Sequence, residues 1–307
     1  MSIAFIYAGQ GSQFTQMGLD LYEQEPIYKT SLDSIDLDGT IKKLSFESDL
    51  ETLSKTEHTQ PCMVAFAISL TNTLYHYGVI PDYVAGLSLG EYSALYAAGV
   101  LTLEQAISLI TFRGEIMATA CKDIPCGMSA VLGLDKILLN EACIKASHLG
   151  VVSIANYNCP GQLIISGEQK ALNLASKFAL ELGARRILPL NVSGAFHTSL
   201  MNKAGNQLKE RFTKETFGIM KVPVIFNSTA LPLQNYEHIP DLLVKQVQNS
   251  VYFEDSIRYM IDKGVTTFLE IGPGKILSGF IKKIDSTKTI YQIDNVSSLH
   301  KTIEQLK

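Results

Sequence analysis

An excess of charge of either sign is missing from this 307-residue chain: 26 Lys and Arg stand against 30 Asp and Glu, a formal charge of −4. That argues against a nucleic-acid binder, which carries a basic excess or a basic face; a local basic patch stays open. Cysteine is scarce. Cys62, Cys121, Cys126, Cys143 and Cys159 are odd in number, scattered, and include no C-x-x-C pair. Neither a disulfide framework nor a zinc knuckle is supported. No metal site is expected, and small buried hydrophobes in a reducing compartment fit these residues better. No apolar run approaches the ~18 residues of a membrane span. Met1 to Ala8 has no basic segment, so a first strand explains it better than a signal peptide. The 22 Gly and 10 Pro follow no repeat, which excludes collagen-like and low-complexity arrays. A cytoplasmic location is expected.

What is present is enough apolar sequence for a large core, 46% of residues. The length predicts about two domains of ~150 residues, or one large α/β domain with an insertion. Ile3–Tyr7 reads as a buried strand stopped by Gly9-Gln10-Gly11-Ser12. Gln60-Pro61 opens a long apolar helix to Tyr77, with Pro in the first turn and Gly78 past the end. A short strand over Tyr83–Gly86 leads to a helix from Leu89 to Ala98. Thr102-Leu103-Glu104-Gln105 is a capping box that opens a third helix carrying Arg113.

From 126 to 190 the rhythm changes. Strands over 128–134, 151–156, 162–166 and 186–190, with helices over 136–147 and 168–182, give the order βαββαβ. Asn158-Cys159-Pro160-Gly161 supplies the turn. Afterwards strands over 222–227, 265–271 and 289–293 alternate with helices over 239–248 and 275–284. Such alternation predicts a parallel sheet covered on both faces. The expected class is therefore α/β, with a large discontinuous domain over 1–125 and 191–307. A small α+β subdomain over 126–190 interrupts it.

Gly86-Leu87-Ser88-Leu89-Gly90 matches G-x-S-x-G, the nucleophile elbow, with a strand before and a helix after. A serine there needs a base within hydrogen-bond reach. Of His58, His76, His148, His197, His238 and His300, five fit solvated or capping roles: His58 in a polar loop, His76 and His148 near helix ends, His238 and His300 in polar end segments. Position alone makes His197 the leading candidate. Gly9-Gln10-Gly11-Ser12-Gln13 lacks the third glycine of a dinucleotide fingerprint and the lysine of a phosphate loop. Its N–H groups could form half of an oxyanion hole, and a plain strand–helix turn fits as well.

Six blocks fall in one order: Gly9 to Gln13, Gly86 to Leu95, Arg113-Gly114, Asn158 to Gln162, Phe196-His197 and Glu270 to Lys275. Together they resemble the malonyl-CoA:acyl carrier protein transacylases, the acyltransferase family of fatty-acid synthesis, over nearly the whole chain. The resemblance implies a hydrolase-like parallel-sheet core with an inserted ferredoxin-like subdomain. It implies Ser88 as nucleophile, His197 as base and acid, and N–H groups of Gln10 and Leu89 as oxyanion hole. Arg113 would bind the malonyl carboxylate, with Phe196 and Asn158 also binding substrate and Gln246 orienting His197 through its carbonyl. Malonyl-CoA is then a substrate, no cofactor is needed, acyl carrier protein is the partner, and a monomer is expected. Arg185-Arg186 and Lys275, Lys282 and Lys283 are candidates for docking the acidic carrier. Two residues depart from the pattern: Ala8 stands where the family usually has Pro, and Leu87 where it often has His. A polyketide-synthase acyltransferase and a serine thioesterase remain competing readings.

Overall fold

The computed structural model describes residues 2–233 and 239–306, so His238 lies outside the described residues. The fold is built on two sheets. The first is wholly parallel, with strands β1 (Ile3–Tyr7), β2 (Tyr83–Gly86), β7 (Val224–Ile225), β8 (Thr267–Ile271) and β9 (Thr289–Ile293) in the order β7-β2-β1-β8-β9. The second is antiparallel, with β3 (Cys126–Leu132), β4 (Val152–Cys159), β5 (Gln162–Glu168) and β6 (Arg186–Pro189) in the order β4-β5-β3-β6. With helices Lys136–Ala146 and Gln169–Glu181 between them, these strands make the ferredoxin-like βαββαβ unit. It packs its own small core around Leu139, Ile154 and Ile165.

The central strands β1 and β8 are buried on both faces, as continuous apolar runs under crossover helices must be. Several expected boundaries move, the start of the long helix by four residues and each end of β7 by two. Strand β7 is two residues long rather than six, because the chain turns back at once: Phe226 donates to the Leu231 carbonyl (3.2 Å). The helix expected from Gln60-Pro61 starts at Thr56 and runs to His76, so Pro61 lies inside it and His58 is helical rather than in a loop. The polar run before Gln60 looked like a loop, yet the side chains of Thr56, His58 and Thr59 find partners. Thr59 Oγ1 donates to the Leu53 carbonyl and Thr56 Oγ1 bonds Ser193 Oγ (2.9 Å). His300 is not merely solvated either, since its Nε2 meets a carboxylate oxygen of the buried Glu25 at 2.6 Å.

The early helix start has a consequence for packing. Helix Leu103–Thr119 crosses it at Gly114, where a Cβ would lie 3.2 Å from Glu57 Cα and from the Thr56 carbonyl oxygen. The close approach brings Arg113 of one helix against Gln60 of the other.

Candidate active site

The site lies at the carboxyl ends of β1 and β2, where loops of an open parallel sheet converge. Sterics dictate the elbow there. A Cβ on Gly86 would collide with the Gly90 carbonyl, and one on Gly90 with the Tyr7 carbonyl. Two glycines are what lets the helix Gly90–Ala97 start directly on top of β2 and β1. Between them Ser88 takes a left-handed φ of 53°. His197, at φ 61°, is another of the few non-glycine residues in that region, and strained backbone held by its surroundings is a mark of functional positions.

The two strained residues face each other: Ser88 Oγ lies 2.9 Å from His197 Nε2. His197 Nδ1 lies 2.7 Å from the Gln246 carbonyl oxygen. A carbonyl only accepts, so Nδ1 carries the proton and Nε2 presents its lone pair to the serine hydroxyl. Burial first, and the nearby Arg113 charge second, push the His197 pKa down to about 4. The imidazole is therefore neutral and ready to take a proton at neutral pH.

Arg113 is fully buried. Its Nη1 donates to Gln60 Oε1 (2.7 Å), and its Nη2 to Ser88 Oγ (3.0 Å) and Gln246 Oε1 (3.0 Å). Its Nε has no partner among the described residues. Removal from water drives its pKa down. Among the described residues no carboxylate is bonded to this guanidinium, so a carboxylate-bearing ligand beside Ser88 would find a waiting partner.

Gln246 does more than orient the histidine. Its Nε2 donates to the Ser88 carbonyl (2.8 Å) while its Oε1 accepts from Arg113. Because the peptide is planar and trans, fixing that carbonyl turns the Leu89 N–H the opposite way. Neither the Leu89 nor the Gln10 N–H has an acceptor among the described residues, and both residues line the same cavity. Two free N–H groups near a serine can hold a developing oxyanion.

That cavity measures about 400 Å³. Phe196, 6% exposed, walls it beside His197, and Leu87 and Phe280 add further apolar surface. Asn158, also buried, lines it with an amide oxygen that no described residue satisfies. At residue 8, where a proline could not donate, the Ala8 N–H bonds the Ile271 carbonyl (3.2 Å). Of the basic candidates, the helix Ile276–Ile284 borders the cavity, and Lys283 Nζ donates to Gln162 Oε1 (3.0 Å). Arg185 instead packs its side chain on Gly133, just past the end of β3, and does not line the cavity.

Three contributors escaped the sequence reading. Gln60 read only as the start of a helix, which gives no sign of a partner in Arg113. Asn227, whose Oδ1 accepts the Ser88 N–H (2.7 Å), sits in the turn after an unremarkable edge strand. Glu91 carried a usable sign: it is a charged residue one step into the apolar helix after the elbow. It is fully buried, and desolvation raises its pKa to about 8. Among the described residues no cluster of three His, Cys, Asp or Glu could hold a metal ion. No described helix is long and apolar enough to cross a membrane.

A serine–histidine pair on a strand–helix elbow, in a parallel sheet carrying an inserted antiparallel one, is the architecture of a serine acyltransferase. The family model for the acyl transferase domain matches residues 4–305, and the chain belongs to that family. It is 42% identical to the malonyl CoA-acyl carrier protein transacylase of Bacillus subtilis, over 99% of this chain and 97% of that one. It is 40% identical to the polyketide biosynthesis transacylase PksC of the same organism, over 92% and 96%. The crystal structure of the Streptococcus pneumoniae enzyme named MCAT superposes with a TM-score of 0.93 at 42% identity, covering 99% of this chain and 100% of that chain.

Proposed function

We propose that the protein transfers the malonyl group from malonyl-CoA to the phosphopantetheine thiol of an acyl carrier protein, for fatty-acid biosynthesis. The observation that carries this reading is the buried Arg113, whose Nη2 lies 3.0 Å from Ser88 Oγ. A carboxylate two carbons from an acyl carbon on Ser88 falls within its reach. The 42% identity to a transacylase of that name supports it.

Ser88 attacks the thioester as His197 Nε2 takes its proton; the N–H groups of Gln10 and Leu89 hold the oxyanion, and CoA leaves protonated. The malonyl carboxylate takes Arg113 from the Ser88 hydroxyl, which is then esterified. The carrier's thiol gives its proton to His197 and attacks the ester, and the proton returns to Ser88 Oγ as the new thioester departs. One thioester replaces another, so the site needs no cofactor; it lowers barriers and excludes water. Phe196 fills the space of a 2-methyl group, and Asn158 receives an amide N–H of the substrate arm. The chain works as a cytoplasmic monomer in two units: 1–125 with 191–307 carries the nucleophile and base, and 126–190 forms the opposite wall. The helix bearing Lys282 and Lys283, at the rim of the cavity, docks the acidic carrier.

The test is to incubate the protein with malonyl-CoA, find the malonyl mass on Ser88 by peptide mapping, then add carrier protein. Transfer to its thiol supports the reading. Free malonate would mark a thioesterase, and absence of any adduct would refute acyl transfer. A second reading, service to a polyketide carrier, is favoured by the 40% identity to PksC. Comparing transfer to fatty-acid and polyketide carriers separates the two.

A further inference from the structure

Asn227 lies in the turn two residues past the edge strand β7, is 2% exposed, and uses every polar group it has. Its carbonyl accepts from the Tyr252 N–H (2.9 Å), and its own N–H donates to Glu91 Oε2 (2.6 Å). Its side chain spans the elbow: Oδ1 accepts the Ser88 N–H (2.7 Å) and Nδ2 donates to the Gly86 carbonyl (2.6 Å). The donor–acceptor pattern fixes the amide in that orientation. Gln246 grips the other end of Ser88 through its carbonyl (2.8 Å). The nucleophile's N–H and C=O are thus held by two side chains from two separate elements.

A residue with a Cβ does not keep a φ of 53° without support. If the Ser88 N–H lost its acceptor, relaxation toward ordinary φ would swing Oγ away from His197 and tilt the Leu89 N–H. We propose that Asn227, itself anchored by Glu91, is a positioning residue for the reaction. By bridging the Ser88 N–H and the Gly86 carbonyl it holds the elbow in the turn that aims Oγ at His197. This rests on Ser88 being the acyl acceptor proposed above.

The test uses Asn227→Ala and Asn227→Asp in the full chain, with thermal midpoints recorded. Two rates are read: phosphonylation of Ser88 by an uncharged fluorophosphonate, and malonyl transfer with kcat and KM separated. Misplacement on the ångström scale predicts that both the phosphonylation rate and kcat fall about 10²-fold in Asn227→Ala, with KM for malonyl-CoA changing less than about threefold, because Arg113 and Gln60 are untouched. Asn227→Asp keeps the acceptor but loses the donor to Gly86, and falls between wild type and Ala. Wild-type phosphonylation by a folded variant of either kind overturns the proposal, as does a loss confined to KM. If Asn227→Ala does not fold, Asn227→Asp alone decides. A wild-type protein that reacts with the phosphonate yet never takes malonyl removes the proposed function while leaving the Asn227 result standing.

Discussion

Arg113→Ala separates the substrate's carboxylate from its acyl carbon. In the wild type, a malonyl carboxylate meets a fully buried guanidinium already oriented by Gln60 and Gln246. Deleting one partner of such a pair costs about 2–5 kcal/mol, or about 30-fold to 4,000-fold in kcat/KM for malonyl-CoA. Acetyl-CoA has no carboxylate and leaves the guanidinium without its partner, so its rate holds or rises and the malonyl-to-acetyl preference collapses. Arg113→Lys keeps the charge but not the two-pronged fork, and falls between. The assay is stopped-flow acylation followed by mass analysis of Ser88 with each thioester. A second readout is independent of substrate. Arg113 is one of the two causes that depress the His197 pKa to about 4, so its removal moves the acid limb of the acylation rate upward, short of 6.5 because burial remains. Equal losses with malonyl and acetyl, or an unmoved acid limb, would refute the reasoning.

Phe196→Ala opens the wall beside His197 and raises the methylmalonyl-to-malonyl ratio by about tenfold or more in competition assays; an unchanged ratio removes Phe196 from specificity. Charge reversal at Lys282 and Lys283 raises KM for carrier protein and leaves KM for malonyl-CoA alone; equal shifts in both would dissociate that helix from docking. Stability against pH follows from two opposed shifts. His197, lowered from 6.5 to about 4, contributes stability present above 6.5 and lost as pH falls toward 4; Glu91, raised from 4.5 to about 8, contributes stability present below 4.5 and lost as pH rises toward 8. The two cancel between 4.5 and 6.5, so their joint contribution to the thermal midpoint is flat there and declines from 6.5 to 8. Glu91→Gln abolishes that alkaline decline, and its persistence in the variant would assign it elsewhere.

Most of this architecture was legible because its signals are local. The second sheet's βαββαβ order followed from turn residues and apolar runs, and the elbow from two glycines around a serine. Ser88, His197, Arg113 and Gln246, named from the resemblance, lie within hydrogen-bond reach of one another. What stayed hidden was polar and long-range. Thr56 read as loop because helix periodicity is sought in apolar residues, and Gln60 read only as a helix start, while their polar side chains are buried against partners more than fifty residues away in Ser193 and Arg113. Asn227 acts across 139 positions on Ser88, a pairing that composition and spacing do not encode. The threefold grip of Gln246 is of the same kind. A single hydrogen-bond partner can be guessed from a family pattern, but simultaneous satisfaction of several groups exists only in the folded interior.

The sheet order also bears on how the protein is made. Strand β1 leaves the ribosome before the other strands of its sheet, yet one of its two neighbours, β8, begins only at Thr267. Until then the innermost strand of the sheet has an unpaired apolar edge, the kind of surface that aggregates in unfinished chains. Nascent chains short of that point should therefore depend on holding factors. A message truncated before residue 267 should yield an insoluble fragment rather than a partial enzyme, even though the elbow and its histidine are already encoded.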